Sequence, residues 1–230
     1  MTHAALAGIA ARSEATHAHT AAWIAETLRS KIAEGQLLPG SKLSEQTLAQ
    51  AFGVSRNTLR EAFTVLAGEH IVTRIPNRGV LVTSPGIDGV REIYSVRRIL
   101  EPAAVRWATG INVSSLQEII SEARGARDRG AVSEMATANQ RFHETLIRGT
   151  GSTLLQELMT RVLAQMRLVF HAMSHAPDFH SHYVEQNAEL VELLAKGQRE
   201  EAAQALRGYL DQAEAELLDH LGTDPAAVTG

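Results

Sequence analysis

Apolar residues recur along this chain at two spacings, and the changes between them outline its elements. Ile24, Leu28 and Ile32 fall at i, i+4 and i+8, one stripe of a helix that Gly35 can stop. After a short loop, LLPGSK, Ser44 is placed to cap a second helix carrying Leu48, Ala49 and Phe52 and ending at Gly53. Ser55 is placed to cap a third, whose Leu59, Ala62, Phe63 and Leu66 make a single apolar face. The period then becomes extended. Ile71 to Ile75, the turn letters Pro76-Asn77-Arg78-Gly79, and Val80 to Val82 predict a β-hairpin. Thr83-Ser84-Pro85-Gly86 is a compact breaker cluster, and the domain boundary is placed there.

Beyond residue 86 the pattern predicts helices alone, around 87–109, 114–128, 133–148, 152–173, 181–196 and 199–221. Ser115 with Glu118 reads as a capping box, and Gly151, Pro177 and Gly197 read as breaks between elements. Short connections predict mostly antiparallel neighbours. The expected fold is therefore mostly α, a winged helix-turn-helix with a small β-hairpin followed by an antiparallel helical bundle. Its expected parts are a flexible arm at 1–20, a winged helix at 21–85, a helical domain at 86–222 and a tail at 223–230. His3, His17 and His19 on the arm are given no role.

Composition narrows the class rather than the fold. With 44% hydrophobic and 21% charged residues among 230, the chain reads as globular, in one large or two modest domains. The absence of cysteine removes disulfides, thiolate zinc sites and cysteine nucleophiles together. No apolar run nears the ~20 residues of a membrane span. The N-terminus has no basic stretch followed by an apolar run, so a cytoplasmic protein without a membrane partner is expected. A net charge of -4 argues against nucleic acid until it is counted by segment: residues 1–85 hold eight Lys and Arg against six Asp and Glu.

Two short helices joined by Gly53-Val54 and followed by a hairpin have the order of a winged helix-turn-helix. With the apolar face of the third helix turned inward, Arg56, Asn57, Arg60 and Thr64 point outward near its start, where a recognition helix meets base edges. Arginine can bond guanine and asparagine can bond adenine in bidentate fashion, while Ser55 at a helix N-terminus suits a phosphate. Arg74 and Arg78 flank Gly79, whose missing side chain lets a wing tip approach DNA closely. The candidate DNA-binding residues are Ser55, Arg56, Asn57, Thr58, Arg60, Arg78 and Gly79. The plainer alternative is three amphipathic helices with surface arginines.

The stretch from Ile24 to Val82, above all LLPGSKLSEQTLAQAFGVSRNTLREAF, resembles the winged helix of the GntR family of bacterial transcription regulators. The resemblance implies that Arg56 and Arg60 bind DNA, with Asn57 and Gly79 as further contacts. Asn57-Thr58 departs from the Thr-Pro that many members carry, which bears on base preference. The helical remainder resembles the effector domain of the FadR branch, carried by Tyr94-Ser95-Val96-Arg97-Arg98-Ile99-Leu100-Glu101 and by Phe142-His143.

Many members of that branch hold a divalent metal with an Asp four residues before the His of Phe-His and two later histidines. The matching positions here are Asn139, His143, Asn187 and Tyr209, so one expected ligand remains. Amide and neutral phenol oxygens bind transition metals poorly, and no metal is expected there. Their neighbours in the pattern place all four facing inward, either as a self-satisfied core network or as the lining of a polar pocket. Arg97 would add a cation, making Arg97, Asn139, His143, Asn187 and Tyr209 the candidate effector-binding residues. His171, His175, His180 and His182 form a separate cluster, read as a solvated helix end and loop or as a second, displaced metal site.

The expected function is a dimeric regulator, not an enzyme, with no catalytic residue and no cofactor. Its expected partners are a double-stranded DNA operator, a second copy of the chain, and a small effector of carboxylate type. The competing readings are an enzyme using His143 and Tyr209 in acid-base chemistry, and a DNA-binding protein without an effector.

Overall fold

The computed structural model describes residues 19–33, 35–172 and 177–223, and it divides between Thr83 and Ser84 into two units. His3 and His17 and most of the expected arm and tail lie outside the described residues. His19 and Thr20 already belong to the first helix, and Thr223 still belongs to the last.

The first unit is built on α1 (19–33), β1 (Lys42–Leu43), α2 (Glu45–Phe52), α3 (Arg56–Gly68), β2 (Val72–Ile75) and β3 (Gly79–Val82). Ile24, Leu28 and Ile32 of α1 are buried, as are Leu59, Ala62, Phe63 and Leu66 of α3, the two stripes read from spacing. Ser44 accepts from the Thr47 N–H and Ser55 from the Thr58 N–H, so each helix begins at its expected cap. Gly53 stops α2 with φ 67°, which glycine adopts without steric cost. Arg29 on α1 forms a bidentate pair with Glu69, the residue that ends α3.

The sheet has the order β1-β3-β2, antiparallel throughout, with Leu43 opposite Val80 and Arg74 opposite Val80 on the other side. β1 departs from the expected loop over LLPGSK, whose last residue is Lys42. Two residues carry no readable period, and β1 exists only because β3 pairs with it. The wing turns at Ile75-Pro76-Asn77-Arg78, where the Arg78 N–H donates to the Ile75 carbonyl at 3.1 Å. Proline in second place and Asn77 at φ 61° in third place fit a type II turn.

The second unit comprises α4 (Ile87–Trp107), α5 (Val113–Asp128), α6 (Val132–Arg148), α7 (Thr153–Ala172), α8 (Pro177–Ala195) and α9 (Arg199–Thr223). α4 packs along α9, α5 lies against α6 and α8, and α6 also meets α7. Their shared core includes Leu116, Phe142, Leu146, Leu206 and Leu210, all fully buried. Two expectations change at helix ends. Asn112, not Ser115, caps α5 by accepting the Ser115 N–H at 3.0 Å. Pro177 stands at the break between α7 and α8 as expected, but α8 begins on it and not at 181, since a missing N–H costs nothing at the first helical position.

Candidate functional site

In the first unit, Arg56, Asn57 and Arg60 are exposed on the first two turns of α3. Among the described residues Arg56 and Asn57 have no side-chain partner, so their donors point free from the helix. Arg60 is held by Glu45 of α2, its Nε donating to Oε2 at 3.0 Å, and this bond and charge raise its pKa. Thr58 corrects the expected list: it is 4% exposed, and its hydroxyl meets Ser55 Oγ at 2.9 Å. Ser55 itself stays exposed at the helix start, its Oγ accepting the Thr58 N–H at 3.2 Å.

Arg74 lies across α3, its Nη2 donating to the Arg60 carbonyl and to Thr64 Oγ1. Arg78 and Gly79 stand exposed at the wing, with Gly79 at φ 93°, a conformation that L side chains rarely adopt. The Lys42 stem runs beside Gly79, which puts a further cation at the wing. Sequence reading missed it because only the β1–β3 pairing brings Lys42 there.

In the second unit, Asn139, His143, Asn187 and Tyr209 come together from α6, α8 and α9. Asn187 Nδ2 donates to Asn139 Oδ1 at 2.8 Å, and Tyr209 OH lies 3.1 Å from that same oxygen and 3.2 Å from His143 Nε2. His143 Nδ1 meets Glu101 Oε2 at 2.6 Å, and Glu101 Oε1 accepts from Arg97 Nε at 2.6 Å. Arg97 and Glu101 are almost fully buried.

Burial alone would raise the Glu101 pKa, but Arg97 and His143 outweigh it and hold it at about 2. Burial pushes the His143 pKa down, Glu101 opposing and Arg97 assisting. A neutral His143 then donates from Nδ1 to Glu101, leaving Nε2 an acceptor. The single Tyr209 proton is consequently divided between two acceptors, His143 Nε2 and Asn139 Oδ1. Burial raises the Tyr209 pKa and keeps that proton on the phenol.

This arrangement corrects two expectations. Arg97 is not a lone cation: its Nε is paired with the Glu101 carboxylate, while its Nη2 is buried without a hydrogen-bond partner. Neither Arg97 nor His143 borders the adjoining cavity, which is lined instead by Asn139, Asn187, Tyr209, Tyr94, Tyr183 and His180 among apolar side chains. Glu101 was present in the sequence and overlooked. Its signal was position: Val90, Ile93, Tyr94, Arg97, Glu101 and Ala104 share one helical stripe, so an i, i+4 ion pair sits on the buried face.

The four residues do not fit a metal. Both nitrogens of His143 have side-chain partners, Asn139 Oδ1 faces two donors, and Tyr209 stays protonated. Among the described residues no group of three or more His, Cys, Asp or Glu could hold an ion. The histidine cluster also departs from its solvated reading. His180 is 5% exposed, edge-on to Phe170 and Phe179, while His182 lies over the Tyr183 ring. The side chain of His175 lies outside the described residues.

Residues 20–82 match the bacterial regulatory proteins of the gntR family, and residues 92–212, over half of the chain, match the FCD domain. The chain belongs to the GntR family. A crystal structure of a GntR regulator from Rhodococcus sp. RHA1 is 38% identical, with a TM-score of 0.81 over 86% of this chain and 97% of that one. The gluconate operon repressor of Bacillus subtilis is 32% identical over 143 residues, 60% of this chain and 58% of its own length. The galactonate operon repressor of Escherichia coli is 28% identical over 63% of this chain and 72% of its own. These relatives are GntR regulators and operon repressors rather than enzymes. The chain spans about 60% of the length of the first curated relatives it matches. Among the described residues no helix is long and apolar enough to cross a membrane.

Proposed function

We propose that this GntR-family chain is a sequence-specific transcription regulator, of the FadR branch, whose grip on an operator is set by a small molecule bound in the FCD unit. The observation that carries the first half is the pair Arg56 and Asn57, exposed and unpartnered at the start of the second helix of a helix-turn-helix. Arg78, Gly79 and Lys42 add a wing contact to the phosphates or the minor groove. A cytoplasmic location goes with a chromosomal partner, and repression is the sign carried by the gluconate and galactonate relatives. A carboxylate effector, the expectation from sequence, rested on Arg97 as anchor, and Glu101 now competes for that role.

Replacing Arg56 by alanine is expected to weaken binding to an operator selected from random duplexes by roughly 5- to 150-fold, the ~1–3 kcal/mol of a bidentate base contact. Far-UV circular dichroism should stay native. Unchanged affinity in both Arg56→Ala and Asn57→Ala would remove α3 from the role of reading helix. Glu45→Gln, by releasing Arg60, is expected to tighten binding instead.

A homodimer reading an inverted repeat belongs to the same proposal, because one winged helix covers too little DNA for strong discrimination. Ile99 and Trp107 of α4 are 69% and 71% exposed, and Leu154 of α7, which packs beside α4, is 74% exposed. Apolar side chains so exposed on neighbouring helices suit a self-complementary interface. Sedimentation is expected to give a dimer at micromolar concentration and a monomer for Ile99→Glu. A monomeric wild type, free and on DNA, would contradict the proposal.

A further inference from the structure

The cavity beside the polar network holds a chemistry that points to one class of occupant. Among the described residues its lining contains no Lys, Arg, Asp or Glu. All three tyrosines of the chain and three of its five phenylalanines border it, although aromatic residues make up only 4% of the sequence. Their rings run edge to face, Phe170 to Phe179 at 5.9 Å, Phe179 to Tyr183 at 5.1 Å and Tyr183 to Tyr209 at 4.8 Å. Two polar atoms of the lining are buried without a partner, Asn187 Oδ1 and His180 Nε2, on side chains 3% and 5% exposed. Buried polar atoms ordinarily have partners, and two orphans on the wall of one cavity mark places where a ligand group can bond.

We infer that this cavity takes a small neutral molecule with a flat ring and a hydrogen-bond donor, the donor reaching Asn187 Oδ1 and the ring lying among the tyrosine and phenylalanine edges. The inference rests on the proposed effector role of the FCD unit and names the class of effector. Charge decides against an anion. A carboxylate entering this lining would lose its hydration and meet no cation among the described lining residues, since Arg97 lies outside the lining with its charge paired to Glu101, its buried Nη2 notwithstanding, and His180 is neutral near pH 7. An amide or hydroxyl donor loses far less on entry and satisfies an acceptor that now has none. The tyrosine and phenylalanine edges carry partial positive charge and favour the face of a ring.

The cavity as it stands has room for about one water molecule, so an occupant must displace the rings it lies among. That requirement supplies the coupling. A ligand that binds only the opened arrangement shifts the FCD unit toward it, which a molecule fitting the closed cavity would not do.

Benzamide and benzoate share a shape and differ in charge, so they test the class directly. Thermal unfolding of the full chain at pH 7.5 is followed by near-UV circular dichroism, in which tyrosine reports the FCD unit alone. Benzamide is expected to raise Tm by roughly 3–5 °C at about ten times its Kd, benzoate to leave it unchanged, and Asn187→Leu to lose the benzamide shift. If Asn187→Leu lacks the native tyrosine signal, Ala138→Leu, which fills the cavity from α6, takes its place. A benzoate shift equal to or above that of benzamide, lost in the variant, would overturn the neutral class and leave the effector site standing. Silence from benzamide, phenol and indole alike would overturn the inference, as would a benzamide shift that survives both variants. An anion such as gluconate that releases operator DNA equally from wild type and Asn187→Leu would instead defeat the effector-site reading itself.

Discussion

Glu101→Leu is expected to destabilise the FCD unit by about 3–5 kcal/mol, because it leaves the Arg97 guanidinium buried without a counter-charge. The mirror change, Arg97→Met, strands the carboxylate and should cost a similar amount. The double variant removes both charges and should recover much of the loss, His143 Nδ1 being the group then left without its acceptor. Urea unfolding read from the tyrosine signal gives all three values. Singles costing under about 1 kcal/mol would show that water or a rearranged partner satisfies the survivor, and the network would lose its structural standing. Arg97→Ala would strand the Glu101 carboxylate in the same way, which makes it a poor probe of ligand binding. A loss of binding in that variant would report a damaged fold, so Asn187 is the informative position.

Stability of the FCD unit is expected to fall as pH drops from 7 to 4, and His180 should account for much of the slope. Burial pushes its pKa down to about 4, with Arg167 and His182 assisting, whereas the unfolded chain titrates near the ordinary value of 6.5. The unfolded state therefore binds the proton first. The stabilisation is fully present above about pH 6.5 and is lost as pH falls through the folded pKa, a change of about 3 kcal/mol. His143, also depressed, acts in the same direction. Glu101 extends the loss below pH 4.5, since its folded pKa lies at about 2. His180→Leu should flatten the line of urea midpoint against pH between 7 and 4. Parallel lines for variant and wild type would show that His180 reaches water in the folded protein.

Much of this molecule was legible before any fold was known. The apolar stripes of α1 and α3, the caps Ser44 and Ser55, the stop at Gly53 and the wing letters all act over a few residues, so local order reveals them. The six-helix character of the FCD unit was equally plain, with two helix ends displaced: Asn112 rather than Ser115 caps α5, and α8 starts at Pro177 rather than 181. The inward direction of Asn139, His143, Asn187 and Tyr209 followed from their apolar neighbours on each helix.

What those side chains bond to was decided only by tertiary structure. Spacing along one helix says which face a residue occupies, but a hydrogen bond between helices depends on register across α4, α6, α8 and α9, which no single stripe specifies. Arg97 read alone looks like a binding cation. Set beside Glu101 and His143 it is half of a neutral core. β1 and Lys42 show the same limit, since pairing with β3 creates both the strand and the place of its cation. The aromatic cavity is the clearest case: Tyr94, Tyr183 and Tyr209 are far apart in sequence and meet only in the packed unit. The sequence by itself determined which segments are helices and which faces they bury, because those are short-range matters of period and capping. Only the fold determined where buried charge is cancelled and where a polar atom is left to a ligand, because those depend on distances between elements.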